Sequence, residues 1–303
     1  MTAEAPSRLI VDLPGLSVAA LTWGPDDGPL ALLLHGFPDS AWTWRHVGPP
    51  LAAAGWRVVA PFSRGYAPSG LPADGSYQLG ALVHDVVGLH AALRPKGDPL
   101  LIGHDWGAMT AYSVSAFAPD LFPRIVAMSV PPLPTLRRVF RGPGATRLGL
   151  RQARCSWYIA ANQIPGLSER AFRPLVRRLW ADWSPGYDAE DDLQHVAAAL
   201  PDVARRGAAI SYYRAMAQPW RRSARYAAEQ ASFLPAPSVP TLYLHGDRDG
   251  ALLPEVGSEV GADLAPGSQA MMVAGAGHFL QLEQPSTVAE AILRFAPSKG
   301  TAS

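Results

Sequence analysis

Apolar positions in the first 131 residues fall into short runs separated by polar, glycine- and proline-containing joints. SRLIVDL and LSVAALTW predict two strands joined by a Pro14-Gly15 turn. PLALLLHG, WRVVAPF, PLLIGHD and RIVAMSV are nearly continuous apolar runs, as expected of strands buried on both faces. Between them, AWTWRHVGPPLAAAG, SYQLGALVHDVVGLHAAL and AMTAYSVSAFA predict helices. Such alternation implies an α/β fold, a mostly parallel sheet covered by helices on both faces.

The texture changes near Pro131. From there to about Pro237 no strand-like run occurs, and RQARCSWYIAANQ, ERAFRPLVRRLWADW and DDLQHVAAAL predict helices. VPTLYLHG and SQAMMVAG then restore buried-strand character, and STVAEAILRFA predicts a closing helix. The organisation expected is an α/β core domain of residues 1–131 and 238–303, interrupted by a helical cap subdomain of residues 132–237. There is no internal repeat, and a few residues at each end look disordered.

Composition and charge narrow the function classes. The 303 residues carry a formal net charge of +1 and no Lys/Arg-rich run, so no nucleic-acid partner is expected. The arginines of the insertion alternate with Asp182, Asp188, Glu190, Asp191 and Asp192, which predicts a solvated face. The only lysines are Lys96 and Lys299, an arginine bias that fits a GC-rich bacterial coding preference. A lone cysteine, Cys155, excludes an intramolecular disulfide and a multi-cysteine metal site; a small, at least partly buried side chain is expected there. No apolar run reaches the ~18 residues of a membrane span, and the N-terminus lacks the layout of a secretion signal. A soluble cytoplasmic protein without a membrane partner is the expectation, with no metal-ligand pairing and no phosphate-cradling loop to call for a cofactor.

Candidate chemistry centres on GHDWGA, Gly103 to Ala108, which has the spacing G-x-D-x-G. The same spacing recurs in GPDDG around Asp26, but that copy lies in a polar turn between two predicted strands. The Asp105 copy stands between a buried strand and a helix, the setting of a nucleophile elbow, and no G-x-S-x-G competes with it. A carboxylate, with a reference pKa of about 3.9, is ionised at neutral pH and needs no base for activation. It suits displacement at a saturated carbon, which leaves an ester on the side chain. Water must then attack that ester, and a histidine base must serve the water.

His278, in AGAGHFLQLEQP, is the only histidine after the last predicted strand, and Gly275 and Gly277 imply a close-packed loop that aims its ring. Asp247 and Asp249 both follow VPTLYLHG and could orient it. Nucleophile, acid and histidine come in the order of an α/β-hydrolase triad. In that fold the HGFP loop and the residue after the nucleophile supply the oxyanion-hole N–H groups, here Phe37 and Trp106. His35 and His104 are expected to pack and hydrogen-bond, and His84, His90 and His195 to lie at surfaces or caps.

HGFPDSAWTWR, RGYAPSG, GHDWGA, HGDRDG and GAGHFLQLEQP occur in the order and spacing of the epoxide hydrolases of the α/β-hydrolase fold. The chain resembles that family over nearly its whole length. The resemblance implies a catalytic role for Asp249, through the family's G-x-x-D spacing, with Asp247 as a turn residue. It maps two ring-opening tyrosines onto Tyr158 in SWYIAANQIPG and Tyr213 in SYYRAM, with Tyr212 as the competing neighbour. On a helix, adjacent residues point about 100° apart, so only one of that pair can reach a given cavity. The implied substrates are a small-molecule epoxide and water, with no cofactor, and a homodimer is an assembly such a chain can form. The sequence departs from the family at Phe62, where an aspartate is frequent, and at Ala161 and Asn162, where aromatics are common; smaller residues there are expected to admit bulkier or polar epoxides.

Two alternatives remain. A haloalkane or haloacid dehalogenase uses the same Asp–His–Asp machinery, but needs halide donors, and Phe37 offers no side-chain donor. Fluoroacetate-type enzymes have arginine where Trp106 stands; other dehalogenases share the tryptophan. The other alternative is a non-catalytic ligand-binding protein on the same fold, although such proteins often lack a triad member and none is missing here.

Overall fold

The computed structural model describes residues 5–296; the predicted disordered-looking ends lie outside the described residues. Eight strands form one sheet: β1 (Ser7–Leu13), β2 (Leu16–Trp23), β3 (Leu30–Leu34), β4 (Arg57–Pro61), β5 (Leu100–His104), β6 (Arg124–Met128), β7 (Thr241–Gly246) and β8 (Gln269–Val273). Their spatial order is β1-β2-β4-β3-β5-β6-β7-β8. β1 and β2 form an antiparallel hairpin, β2 joins β4 antiparallel, and every later pairing is parallel.

Successive strand residues supply opposite faces. Leu32 and Leu101 join Val86 and Ala111 in one apolar cluster, while Leu33 and Ile102 join Leu51 and Ile292 in the other. These contacts fix α2 (Leu79–Leu93) and α3 (Trp106–Phe117) on one side and α1 (Gly48–Ala53) on the other. Between β6 and β7 every described element is helical: α4 (Leu133–Val139), α5 (Ala145–Cys155), α6 (Trp157–Ala161), α7 (Leu167–Arg170), α8 (Phe172–Trp183), α9 (Glu190–Ala199), α10 (Val203–Ala217) and α11 (Ala227–Ala231), with short 3-10 turns. The chain closes with α12 (Pro254–Gly257), α13 (Leu280–Glu283) and α14 (Pro285–Phe295). Tyr158, Phe172, Trp180 and Tyr213 from the insertion share the cluster that contains Leu33, and α11 packs on α2 and α3, where the Gly80 N–H donates to Gln230 Oε1 at 3.0 Å.

Four predicted elements differ from observation; two of them, RQARCSWYIAANQ and ERAFRPLVRRLWADW, each divide into two helices, at Ser156 and at Ala171. AWTWRHVGPPLAAAG splits into a 3-10 turn, Ala41–Trp44, and α1, because Pro49 and Pro50 fit only a first helical turn. SQAMMVAG is an edge strand and not a buried one: Gln269, Ala270 and Met272 are exposed, since β8 has a neighbour only in β7.

Candidate active site

β5 runs into the sheet centre between β3 and β6, and the chain turns sharply at its end into α3. Asp105 occupies the turn with φ 55° and ψ −113°, a conformation costly for a residue with a Cβ. The flanking glycines make the turn possible by having no side chain. A Cβ at Gly103 would overlap the backbone of Gly107, and one at Gly107 the backbone of Leu34. Gly36, beneath the carboxylate, is equally constrained: a Cβ there would collide with Asp105. The Phe37 N–H donates to Asp105 Oδ1 at 2.8 Å. Trp106 is the first residue of α3, where an N–H has no intrahelical acceptor. The Phe37 donor therefore borders the carboxylate, and the Trp106 N–H follows it at the start of α3.

His278 follows β8 in a loop that touches the end of α8. Gly277 permits the approach, since a Cβ would meet the Ser184 backbone, and His278 N–H donates to Trp183 O at 3.0 Å. The His278 carbonyl accepts from Ser129 Oγ at 2.7 Å and from His104 Nε2 at 2.9 Å. With its backbone so held, the ring presents Nδ1 to Asp249 Oδ2 at 2.9 Å and Nε2 to Asp105 Oδ2 at 3.7 Å. Asp249 Oδ1 accepts from the N–H groups of Ala251 and Leu252, 2.8 and 3.0 Å away.

Electrostatics follow from this sandwich. Burial opposes charge on the imidazole, but the carboxylates of Asp249 and Asp105 outweigh it and raise the His278 pKa well above 6.5. Burial likewise opposes charge on Asp249, yet His278 and the loop donors hold its pKa below the ordinary value. Both shifts favour the charged form of each partner.

Above the carboxylate stands a wall of aromatic rings. Tyr213 meets Phe37 edge-on at 5.1 Å, Trp106 at 5.3 Å and Tyr158 at 5.5 Å. Tyr158 also packs on Trp183 at 5.0 Å, and Trp183 on His278 at 4.9 Å. Burial, with Asp105 adding to it, raises the pKa of both phenols, so both stay protonated. The Tyr213 hydroxyl is buried and makes no hydrogen bond of normal geometry among the described residues. Tyr212 faces elsewhere and donates to Arg64 O at 2.8 Å. A cavity of about 550 Å³ abuts this wall; Trp106 lines it with Met109, Leu79, Met216 and Phe233.

The structure thus brings Asp105, His278, Asp249, Phe37, Trp106, Tyr158 and Tyr213 to one locus. It leaves Asp26 on an exposed turn, and Asp247 accepts the Gly275 N–H at 2.8 Å. His35 is held between Gly36 O and the Ser63 N–H, and burial lowers its pKa to about 4; burial also lowers that of His104, to about 3. His84, His90 and His195 are half-buried on helices. Asn162 is fully buried, with an amide that finds no partner among the described residues.

Sequence reasoning missed two supports. Arg214, next to Tyr213, is buried and reaches Glu169 at 2.6 Å, Asn162 O at 2.8 Å and Ile164 O at 3.1 Å. It ties α10 to the end of α6, and hence the backbone of Tyr213 to that of Tyr158. The Trp183 carbonyl accepts from both His278 N–H and Gly250 N–H, joining the loops of His278 and Asp249 to the insertion. Arginine beside tyrosine was a visible signal; a backbone carbonyl leaves none.

Residues 29–285 match the alpha/beta hydrolase fold family. The chain is 30% identical to epoxide hydrolase A of Mycobacterium tuberculosis over 96% of this chain and 97% of that protein. An epoxide hydrolase of Caballeronia sordidicola is also 30% identical, over 88% and 87%. Among solved structures, epoxide hydrolase A from Mycobacterium thermoresistibile superposes with a TM-score of 0.72 at 26% identity, covering 96% of this chain and 98% of that one. The epoxide hydrolase of an endophytic Streptomyces gives a TM-score of 0.73 at 26% identity, covering 96% and 95%.

Proposed function

The chain belongs to the alpha/beta hydrolases, and among them to the epoxide hydrolases; on that premise we propose that it opens an epoxide to a vicinal diol through an ester on Asp105. One Asp105 oxygen attacks an epoxide carbon as the C–O bond of the ring breaks. The departing oxygen gains negative charge, and Tyr158 and Tyr213 hydrogen-bond it and supply a proton. The product is an alkyl ester on Asp105 with a free hydroxyl.

Esterification removes the negative charge of Asp105, one of the two that held the His278 proton. The imidazolium becomes more acidic and returns a proton to the phenolate. Neutral His278, kept in orientation by Asp249, then takes a proton from water as the oxygen of that water attacks the ester carbonyl. The N–H groups of Phe37 and Trp106 stabilise the tetrahedral oxyanion. On collapse the ester C–O bond breaks, the leaving oxygen takes the proton of the added hydroxyl to complete the diol, and the carboxylate is restored beside an imidazolium. Atoms balance as epoxide plus water to diol, with no net proton gain by the protein. On this reading residues 132–237 act as a cap that supplies the acid side, and the adjoining cavity takes the apolar substituent of the epoxide.

The observation that carries the reading is Tyr213, a buried phenol beside Tyr158 at the locus of Asp105, whose hydroxyl makes no hydrogen bond of normal geometry among the described residues. A halide leaving group would not require that proton. Turnover of styrene oxide to its diol tests the proposal, with Asp105→Ala as control. Diol formation by the wild type alone supports it; halide release from 1,2-dibromoethane without epoxide turnover would assign the site to a dehalogenase.

A further inference from the structure

Charge is segregated along this chain. Residues 132–237 carry 16 of the 26 basic side chains and only eight of the 25 acidic ones, so the acidic excess lies in the core. Within the insertion the acids are bunched as well. Asp182, Glu190 and Asp192 pair with Arg178, Arg177 and Arg45, and between Arg137 and Arg178 the sole carboxylate is Glu169, buried against Arg214. The alternation that predicted an evenly solvated face holds around α8 and α9 and fails over α5 to α7.

α5 is amphipathic, yet its one fully buried residue is polar: Gln152, whose amide bonds Ala251 O and the Leu253 N–H of the core. Arg147, Leu150 and Arg154 recur on its outer side at three- and four-residue spacing, and Trp157 continues the series into α6. Leu150 is 64% exposed and Ile164, beyond α6, 53%. Trp220, 79% exposed, lies beside this face, because Gln218 bonds Gln163 at 3.0 Å and Arg221 at 2.6 Å. Arg147, Arg154, Arg170 and Arg221 are exposed, and none pairs with a carboxylate among the described residues.

We propose that this outer face, α5 to α7 with the turn at Trp220, docks reversibly on an anionic lipid surface. Indole rings settle at headgroup depth, aliphatic tips enter the acyl boundary, and unpaired arginines meet lipid phosphates. A nucleic acid would engage the arginines but leave Leu150 and Ile164 in water. The acidic excess of the core turns that part of the molecule away from the same surface. The expectation of no membrane partner rested on the lack of a spanning segment, and peripheral docking uses other features. Docking also serves the proposed reaction: the outer side of α6 carries Trp157 and its buried side Tyr158, so the acid side of the site comes next to the phase in which apolar epoxides dissolve.

The test is co-sedimentation of the full chain with vesicles of phosphatidylcholine alone and of phosphatidylcholine mixed equally with phosphatidylglycerol. The mixed vesicles are expected to bind, the neutral ones hardly at all, and high salt to release the protein. Arg147→Gln and Arg154→Gln are each expected to weaken partitioning roughly fivefold. Trp220→Ser should weaken it at every salt concentration, whereas Ile10→Ser, at the exposed sheet edge, should bind like wild type. Binding to neither vesicle, equal binding to both, or indifference to these substitutions would overturn the proposal. So would a stable dimer in solution that Trp220→Ser dissociates, because the face would then belong to a second copy of the chain. Styrene oxide turnover, measured alongside, reads the chemistry separately from the docking.

Discussion

Asp105 and His278 sit on backbone turns where β5 and β8 end, whereas Tyr158 and Tyr213 sit on helices joined through one buried ion pair. The first arrangement is enforced by glycines with no room for a Cβ: Gly36, Gly103, Gly107 and Gly277 each stand against backbone or against the carboxylate itself. The second depends on side chains, with Arg214 bonded to Glu169 and to the carbonyls of Asn162 and Ile164. Geometry set by backbone tolerates distant substitution. Geometry set by one guanidinium fails when that group is lost. The nucleophile side should therefore survive changes that disable the acid side, and the two half-reactions should separate by mutation.

The largest separation is expected from His278→Gln. Ring opening proceeds but ester hydrolysis stops, so steady-state turnover falls by ~10³-fold. Intact-mass spectrometry should then find about one equivalent of adduct, heavier by the mass of the epoxide. Absence of adduct would mean that His278 serves the opening step as well.

Next come the tyrosines. Tyr158→Phe and Tyr213→Phe are each expected to slow the single-turnover burst by ~10²-fold. Tyr212→Phe should leave the burst near wild type and cost about 1 kcal/mol of stability through its lost bond to Arg64 O. A burst defect in Tyr212→Phe equal to that of Tyr213→Phe would break the assignment between the neighbours.

Arg214→Leu sharpens the comparison further. It leaves Glu169 buried and unpaired, which costs about 3 kcal/mol in urea unfolding. The burst rate is expected to fall about tenfold, while decay of ester already formed changes little. Arg214→Lys should recover part of both. Equal loss in opening and ester decay would mean that Arg214 supports the whole site and not the tyrosine side.

The last check is read in stability and not in rate, as a pH dependence. The folded-state pKa of His278 is raised, so its stabilisation is complete below the unfolded value near 6.5 and is lost as pH rises through the folded value. The stability gap between wild type and His278→Gln should be widest below pH 6.5 and narrow at alkaline pH, by about 1.4 kcal/mol for each unit of upward shift. A gap that widens with pH would mean a neutral resting imidazole.

Legibility followed the same divide. Strand–turn–helix punctuation exposed the turn at Asp105 because tight turns demand particular residue types in a short window, and apolar runs located all eight strands. β8 was read as buried because an apolar run carries no label for its place at a sheet edge. Asp105 and His278 were singled out as candidates from context, but the preference for Asp249 over Asp247 needed the family spacing, since both follow the same strand. Tyr158 and Tyr213 also came from resemblance alone: a tyrosine on a helix is usually an ordinary packing residue, and only tertiary contacts distinguish the Tyr213 hydroxyl from that of Tyr212. Arg214 and the Trp183 carbonyl act between segments far apart in the chain, where local pattern is silent.

The central claim is that the oxygen delivered to substrate comes from Asp105 and is replaced from water. A single turnover in ¹⁸O-water, with enzyme in excess over styrene oxide, tests it directly. Mass spectrometry of the peptide containing Asp105 should show label in the carboxylate, and the first-turnover diol should be unlabelled. Label in that first diol, with none in Asp105, would contradict the account.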